Sequence, residues 1–173
     1  MEKKMQLKVS SLFQITLISL FLQGLAFSSN AQAYDKIGRL GLGLSNQLKN
    51  DFPSLSFKMQ KNRSTAIGGN FGLSSDPTSG GYGAGIKIYR NLFDEPQLNF
   101  YVAGLLGLLN NKVSSTSYSG FQFDLSLGSE FHLTGLNSIG FSFEFGVSAY
   151  KKKEFTFQTL GNSFIVSGVH FYL

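Results

Sequence analysis

The chain has 173 residues, a net charge of +5, 20 glycines, 18 phenylalanines, two histidines and no cysteine. Only 14% of its residues are charged, against roughly a quarter in an ordinary soluble domain. A disulfide framework is excluded, and a cysteine–histidine zinc site has too few ligands to form.

Residues 1–33 carry the pattern of an export signal. Lys3, Lys4 and Lys8 precede a short apolar run from Leu12 to Leu22, and Ala31-Gln32-Ala33 supplies an A-x-A cleavage site before Tyr34. The run is interrupted by Gln14 and Ser19 and is shorter than the roughly 20 residues that a spanning helix needs. The expected division is a signal peptide over 1–33 and one domain over 34–173. Cleavage also removes Glu2 and the three lysines, so the net charge falls to +3 and nucleic-acid binding loses its main support.

Eight segments of the remainder alternate with period 2, the mark of a strand with unlike faces. They run Ile37–Leu44, Ser54–Gln60, Thr65–Ser74, Gly81–Tyr89, Leu98–Leu109, Gly120–Phe131, Ile139–Ala149 and Ser163–Leu173. The seventh is the clearest. Ile139, Phe141, Phe143, Phe145 and Val147 share one face; Gly140, Ser142, Glu144, Gly146 and Ser148 share the other. A soluble sheet turns charged residues to water, whereas here large apolar residues oppose Gly and Ser. That inversion points to a membrane barrel with its bulky face toward lipid and a small-polar face toward a narrow lumen. A soluble lipocalin-like barrel would have to wet the Gly/Ser face and bury the Phe face.

The connections fit an antiparallel meander with both termini in the periplasm. Asn46–Pro53, the turn at Asp76–Gly80, Asn110–Tyr118 and Tyr150–Gly161 are expected as the longer outer loops. Lys61–Ser64, Arg90–Gln97 and His132–Ser138 are expected as the shorter periplasmic turns.

At the end of the chain, Gly168, Phe171 and Leu173 form a Gly-x-x-apolar-x-apolar ending on the last strand. In this ending and in the eight-segment pattern the sequence resembles the small eight-stranded bacterial outer-membrane barrels of the OmpA/OmpX-like type. The resemblance implies an all-β, up-and-down transmembrane barrel, integral to the outer membrane. It also implies recognition of Gly168, Phe171 and Leu173 by the barrel-assembly machinery. With the last strand at the terminus, no periplasmic domain is expected after it.

Six charged residues fall on the expected lumen face: Arg39, Lys58, Lys87, Asp124, Glu130 and Glu144. In a lumen with little room for water they must pair and hydrogen-bond, either as a static polar filling or as an ion-pair gate. Lys151, Lys152 and Lys153 form the one charge run, in the last outer loop, where they can meet lipopolysaccharide phosphates or simply be solvated. His132 and His170 lie away from the outer rim, and neither sits in a His-x-Ser arrangement, so no catalytic residue, metal site or cofactor site is expected. The glycine repeats are not followed by a helical period and do not make a nucleotide loop. The expected protein is a monomeric, non-enzymatic barrel with a structural or surface-interaction role, in contact with outer-membrane lipid and lipopolysaccharide. The alternatives are a narrow pore and, third, a lipid-acting enzyme.

Overall fold

The computed structural model describes residues 36–50, 53–95, 97–113, 116–161 and 164–173. The expected signal segment, with Ala31, Ala33 and Tyr34, lies outside the described residues.

Among the described residues nine strands form one sheet: β1 Leu40–Ser45, β2 Ser54–Asn62, β3 Thr65–Ser74, β4 Gly81–Glu95, β5 Leu98–Val113, β6 Thr116–His132, β7 Ile139–Lys151, β8 Phe155–Thr159 and β9 Val166–Tyr172. Each of β1 to β7 pairs antiparallel with the next. The last two strands both pair with β7, β8 with its final residues and β9 with its first. They are two halves of one eighth strand, interrupted at residues 160–165. The pairing of β9 with β1 closes the barrel. The result is a closed eight-stranded antiparallel barrel with an all-β fold.

The face assignment follows the sequence alternation. Ile86, Leu125, Phe143 and Phe145 are exposed on the outside. Lys87, Asp124 and Glu144 are at most 4% exposed on the inside. Most described strand residues that look outward are large and apolar, with small residues such as Ala84, Gly104, Ser129 and Ala149 between them.

Small inward residues have a specific use. An eight-stranded barrel encloses only enough space for side chains, and here the rings of Tyr89, Tyr101 and Tyr172 each lie against a glycine of another strand. A Cβ on Gly128 would fall 2.6 Å from the Tyr101 ring, and one on Gly41 would fall 2.8 Å from the Tyr172 ring. Gly68 leaves similar room for Tyr89. Tyr89 and Tyr101 then meet edge to face with ring centroids 5.2 Å apart.

Three expected connections differ from what is observed. β4 continues through Arg90 to Glu95, past a bulge between Asn91 and Phe93, so the expected turn at Arg90–Gln97 is mostly strand. β5 and β6 extend through most of Asn110–Tyr118, leaving only residues 114–115 between them. Tyr150–Gly161 contains a hairpin, with Lys151 opposite Phe155. The polar residues of these segments suit loops, but backbone pairing with the neighbouring strand carries the ladder through them. The expected contrast of long outer loops with short turns holds only in part: 46–53 and 75–80 are longer than 63–64 and 96–97. Residues 114–115 are as short a link as 96–97, and 133–138 is longer than either.

The turn between β3 and β4 is held by Asp76. One carboxylate oxygen accepts the Ser79 N–H at 2.7 Å, the Thr78 N–H at 2.8 Å and the Thr78 hydroxyl at 3.0 Å. The Ser79 amide, then that of Thr78, holds the carboxyl down at about 2 from its ordinary 3.8. A depressed carboxyl favours the ordered turn above its unfolded-state pKa, and that preference is lost as pH falls through about 2. The Ser79 amide resonance should therefore shift with a midpoint near pH 2; a midpoint near 3.8 would mean that the turn is not closed in solution.

The nesting of rings on glycines gives a second expectation. Gly128→Val should push Tyr101 and the Glu144 stem out of place and destabilise the barrel by about 1–3 kcal/mol in urea unfolding. Ser129→Val, one residue along and facing outward, should change stability much less.

Candidate functional site

The lumen holds the polar residues, in tiers. At the end where the chain termini lie, Glu130 accepts hydrogen bonds from Lys58, from the Tyr172 hydroxyl and from His132 Nε2 at 3.2 Å. Glu130 is wholly buried and Lys58 is 3% exposed. Alongside, Ser56 Oγ and His170 Nε2 are 2.9 Å apart.

The next tier is aromatic. The Lys58 ammonium lies 4.7 Å from the Tyr89 ring centre and 4.8 Å from that of Tyr101, and Lys87 approaches Tyr89 at 4.9 Å. Two cations therefore share the Tyr89 ring, which softens the cost of enclosing like charges. Above the rings, Lys87 Nζ donates to both oxygens of Glu144 at 2.6 Å. Glu144 also accepts from Ser126 at 2.7 Å and from the Tyr101 hydroxyl at 3.0 Å.

The upper tier centres on Asp124, which is wholly buried. It accepts from Ser148 at 2.6 Å, from Gln122 Nε2 at 2.8 Å and from Gln47 Nε2 at 3.0 Å. Gln47 comes from the connection between β1 and β2, which does not project outward. Gln47, Leu48, Lys49 and Asn50 are all 3% exposed or less. The segment folds into the barrel mouth and plugs it.

A backbone segment inside a barrel must find partners for its N–H and C=O groups. Gln122 provides two of them, accepting the Lys49 N–H at 2.9 Å and donating to the Gln47 carbonyl at 3.1 Å. The Gln47 side chain then links the tiers. Its amide nitrogen reaches Asp124, while its oxygen accepts from Lys87 at 2.6 Å and from Asn70 at 3.4 Å. Leu48 packs with Leu105 and Leu109, and the Lys49 ammonium donates to the Gly161 carbonyl. Gly83 leaves space for the plug, since a Cβ there would stand 2.9 Å from the Asn50 amide and 3.2 Å from Leu48.

Five of the six charges expected in the lumen are there: Lys58 and Glu130 form one pair, Lys87 and Glu144 a second, and Asp124 is held by neutral donors. Arg39 is placed at the rim, half-buried, with its guanidinium donating to the backbone carbonyls of Leu173 at 3.0 Å and Tyr172 at 3.3 Å. Gly168 points inward beside Ser142, and Phe171 and Leu173 are exposed on the outside. Lys151 ends β7, and Lys152 and Lys153 form the tip of the β7–β8 hairpin.

Sequence reading missed three features. Asn46–Pro53 was expected outside, yet its described residues from Gln47 to Asn50 are the plug. His132 was expected in a turn, but it ends β6 and is 4% exposed. Ser56 and His170 lie 114 positions apart and meet only through closure of the barrel. The plug has one signal in the sequence: Leu105 and Leu109 put large apolar residues on the inward face of β5, where Leu48 packs on them.

The fold is that of the small OmpA-like eight-stranded barrels. The crystal structure of the N-terminal β-barrel domain of Pseudomonas aeruginosa OprF is similar, with a TM-score of 0.61 and 12% identity, and the match covers 80% of this chain and all of that one. At that identity the likeness establishes the fold alone. No family model matches the sequence, and no curated protein matches it.

Enclosure sets the cost of breaking the tiers. Removing one partner of a buried pair leaves the other charge unmet, at about 3–5 kcal/mol. Glu144→Ala should therefore unfold at much lower urea than Glu154→Ala, which changes an exposed residue at the hairpin tip. Gln47→Ala should cost about 1–3 kcal/mol by leaving Asp124 and Lys87 each one partner short. Equal unfolding midpoints for the wild type and both variants would mean that water replaces these partners freely.

Proposed function

We propose that the mature chain, starting at Tyr34 after removal of residues 1–33, is an integral barrel of the bacterial outer membrane. Its role is structural or surface-directed, not enzymatic or conductive. One observation carries this reading: the outside is a continuous apolar belt, while the inside is filled by paired charges and closed by its own plug. A closed barrel of this kind acts through its wall and its outer rim. The fold likeness to a bacterial β-barrel domain supports the same compartment.

Gly168, Phe171 and Leu173 are proposed as the signal read by the barrel-assembly machinery. Outer-membrane lipid and lipopolysaccharide are the proposed surroundings of a monomer. The Ser56–His170 contact does not turn the lumen into a hydrolase site. Nucleophilic catalysis needs a base that is itself oriented, and His170 Nδ1 has no hydrogen-bond partner among the described residues.

Two measurements test the reading. The chain should fractionate with the outer membrane as a heat-modifiable band and should give no stable current steps in planar bilayers. Recovery as a soluble periplasmic protein would overturn the membrane assignment. Stable steps would favour a narrow pore over the closed barrel. Phe143→Arg should lower folded stability in lipid vesicles by about 2–4 kcal/mol if the site lies near the midplane.

A further inference from the structure

We propose that the outer face of β6, β7 and β8 is a binding site for a phosphorylated glycolipid of the outer leaflet, with one acyl chain seated in a slot and the phosphates on the lysine tip. The inference rests on the membrane reading above and adds a defined ligand site to it.

The slot comes from register. Phe123 of β6 and Phe157 of β8 lie directly across from Ala149 of β7, one on each side. Neighbouring strands are about 4.8 Å apart, so the two rings rise from backbones roughly 10 Å apart with only a methyl group between them. That gap admits one hydrocarbon chain. It continues downward over Val147, between Leu125 and Thr159. Phe123 and Phe157 are 50% and 66% exposed, so both rings keep an open face.

The head of the slot carries the charge. Two residues up, about 7 Å along the strand, Lys151 stands between Phe121 and Phe155. This row lies at the upper edge of the apolar belt on these strands, because the next outward residue of β6 is Ser119. Lys152, Lys153 and Glu154 make the tip of the hairpin, giving an excess of two positive charges over four residues. A zwitterionic phospholipid brings its own cation and leaves that excess unmet. A sugar carrying several phosphates meets it, and an ammonium placed where apolar wall gives way to water suits a phosphate just above its acyl chain.

The test uses the full mature chain folded in detergent micelles and titrated in native mass spectrometry. The probes are bis-phosphorylated lipid A, the same lipid without its phosphates, phosphatidylglycerol and phosphatidylethanolamine. Bis-phosphorylated lipid A should bind one per barrel and more tightly than the other three. Lys151→Gln with Lys153→Gln should weaken it by about tenfold or more, the loss expected of charge-assisted bonds. Ala149→Phe should weaken it comparably by filling the slot, and heat-modifiability of each variant checks that it has folded. Equal binding of the dephosphorylated lipid, phosphatidylglycerol binding as tight as lipid A, or wild-type affinity in the lysine double variant would overturn the proposal. A barrel found in the outer membrane that fails these arms sinks this inference alone, whereas a soluble chain sinks the reading beneath it.

Discussion

Everything inside this barrel follows from how little space eight strands enclose. A carboxylate there cannot keep a hydration shell, so protein must supply what water would have given. The barrel does so in two ways. Glu130 and Glu144 are met by lysines, and Asp124 is met by three neutral donors. Both solutions need room for long side chains, and glycines on facing strands provide it. The abundance of glycine and the presence of buried charge are thus one design seen from two sides.

The inward-folded segment extends the same logic to the mouth. A loop that leaves water must carry its own hydrogen-bonding solution, and this one finds it in Gln122, which treats the segment as an extra strand. Gln47 then ties that segment to both the Asp124 tier and the Lys87–Glu144 pair. Displacing the loop alone would strip partners from charges deeper in the barrel. Mouth and lumen behave as a single polar unit, and the rigid wall around them holds the outer face of β6 to β8 in register.

Much of the fold was legible because period 2 is strict where one face meets lipid and the other meets a crowded interior. The expected limits of the third strand, Thr65 and Ser74, are those observed, and Ile139 begins the seventh as expected. Legibility failed where the apolar belt ends. Asn110, Asn111 and Lys112 look like loop, yet backbone pairing continues β5 through them. The lumen charges could be assigned to a face but not to partners, since Lys58 and Glu130 are 72 positions apart in the chain. The direction taken by residues 46–50 depends on what the interior lacks, and no local pattern encodes that.

The wall is also uneven in how firmly it is sewn. β5 and β6 pair along their whole length from Leu98 to Val113, whereas β1 meets β9 only from Gly41 to Ser45. Beyond that short stretch β8 has no partner but β7 among the described residues, and the join is fastened by the Leu173 N–H on the Leu40 carbonyl and by two side chains, Arg39 on the carbonyls of Tyr172 and Leu173 and Asn46 on the Ser167 amide. The seam is therefore the line of least resistance for both the birth and the opening of the barrel. During folding the long hairpins can form from local sequence, but the sheet stays an open, curved ribbon until its two ends, far apart in the chain, find each other. In the finished protein, sideways strain on the wall concentrates on those same few rungs, next to the mouth that the plug keeps shut.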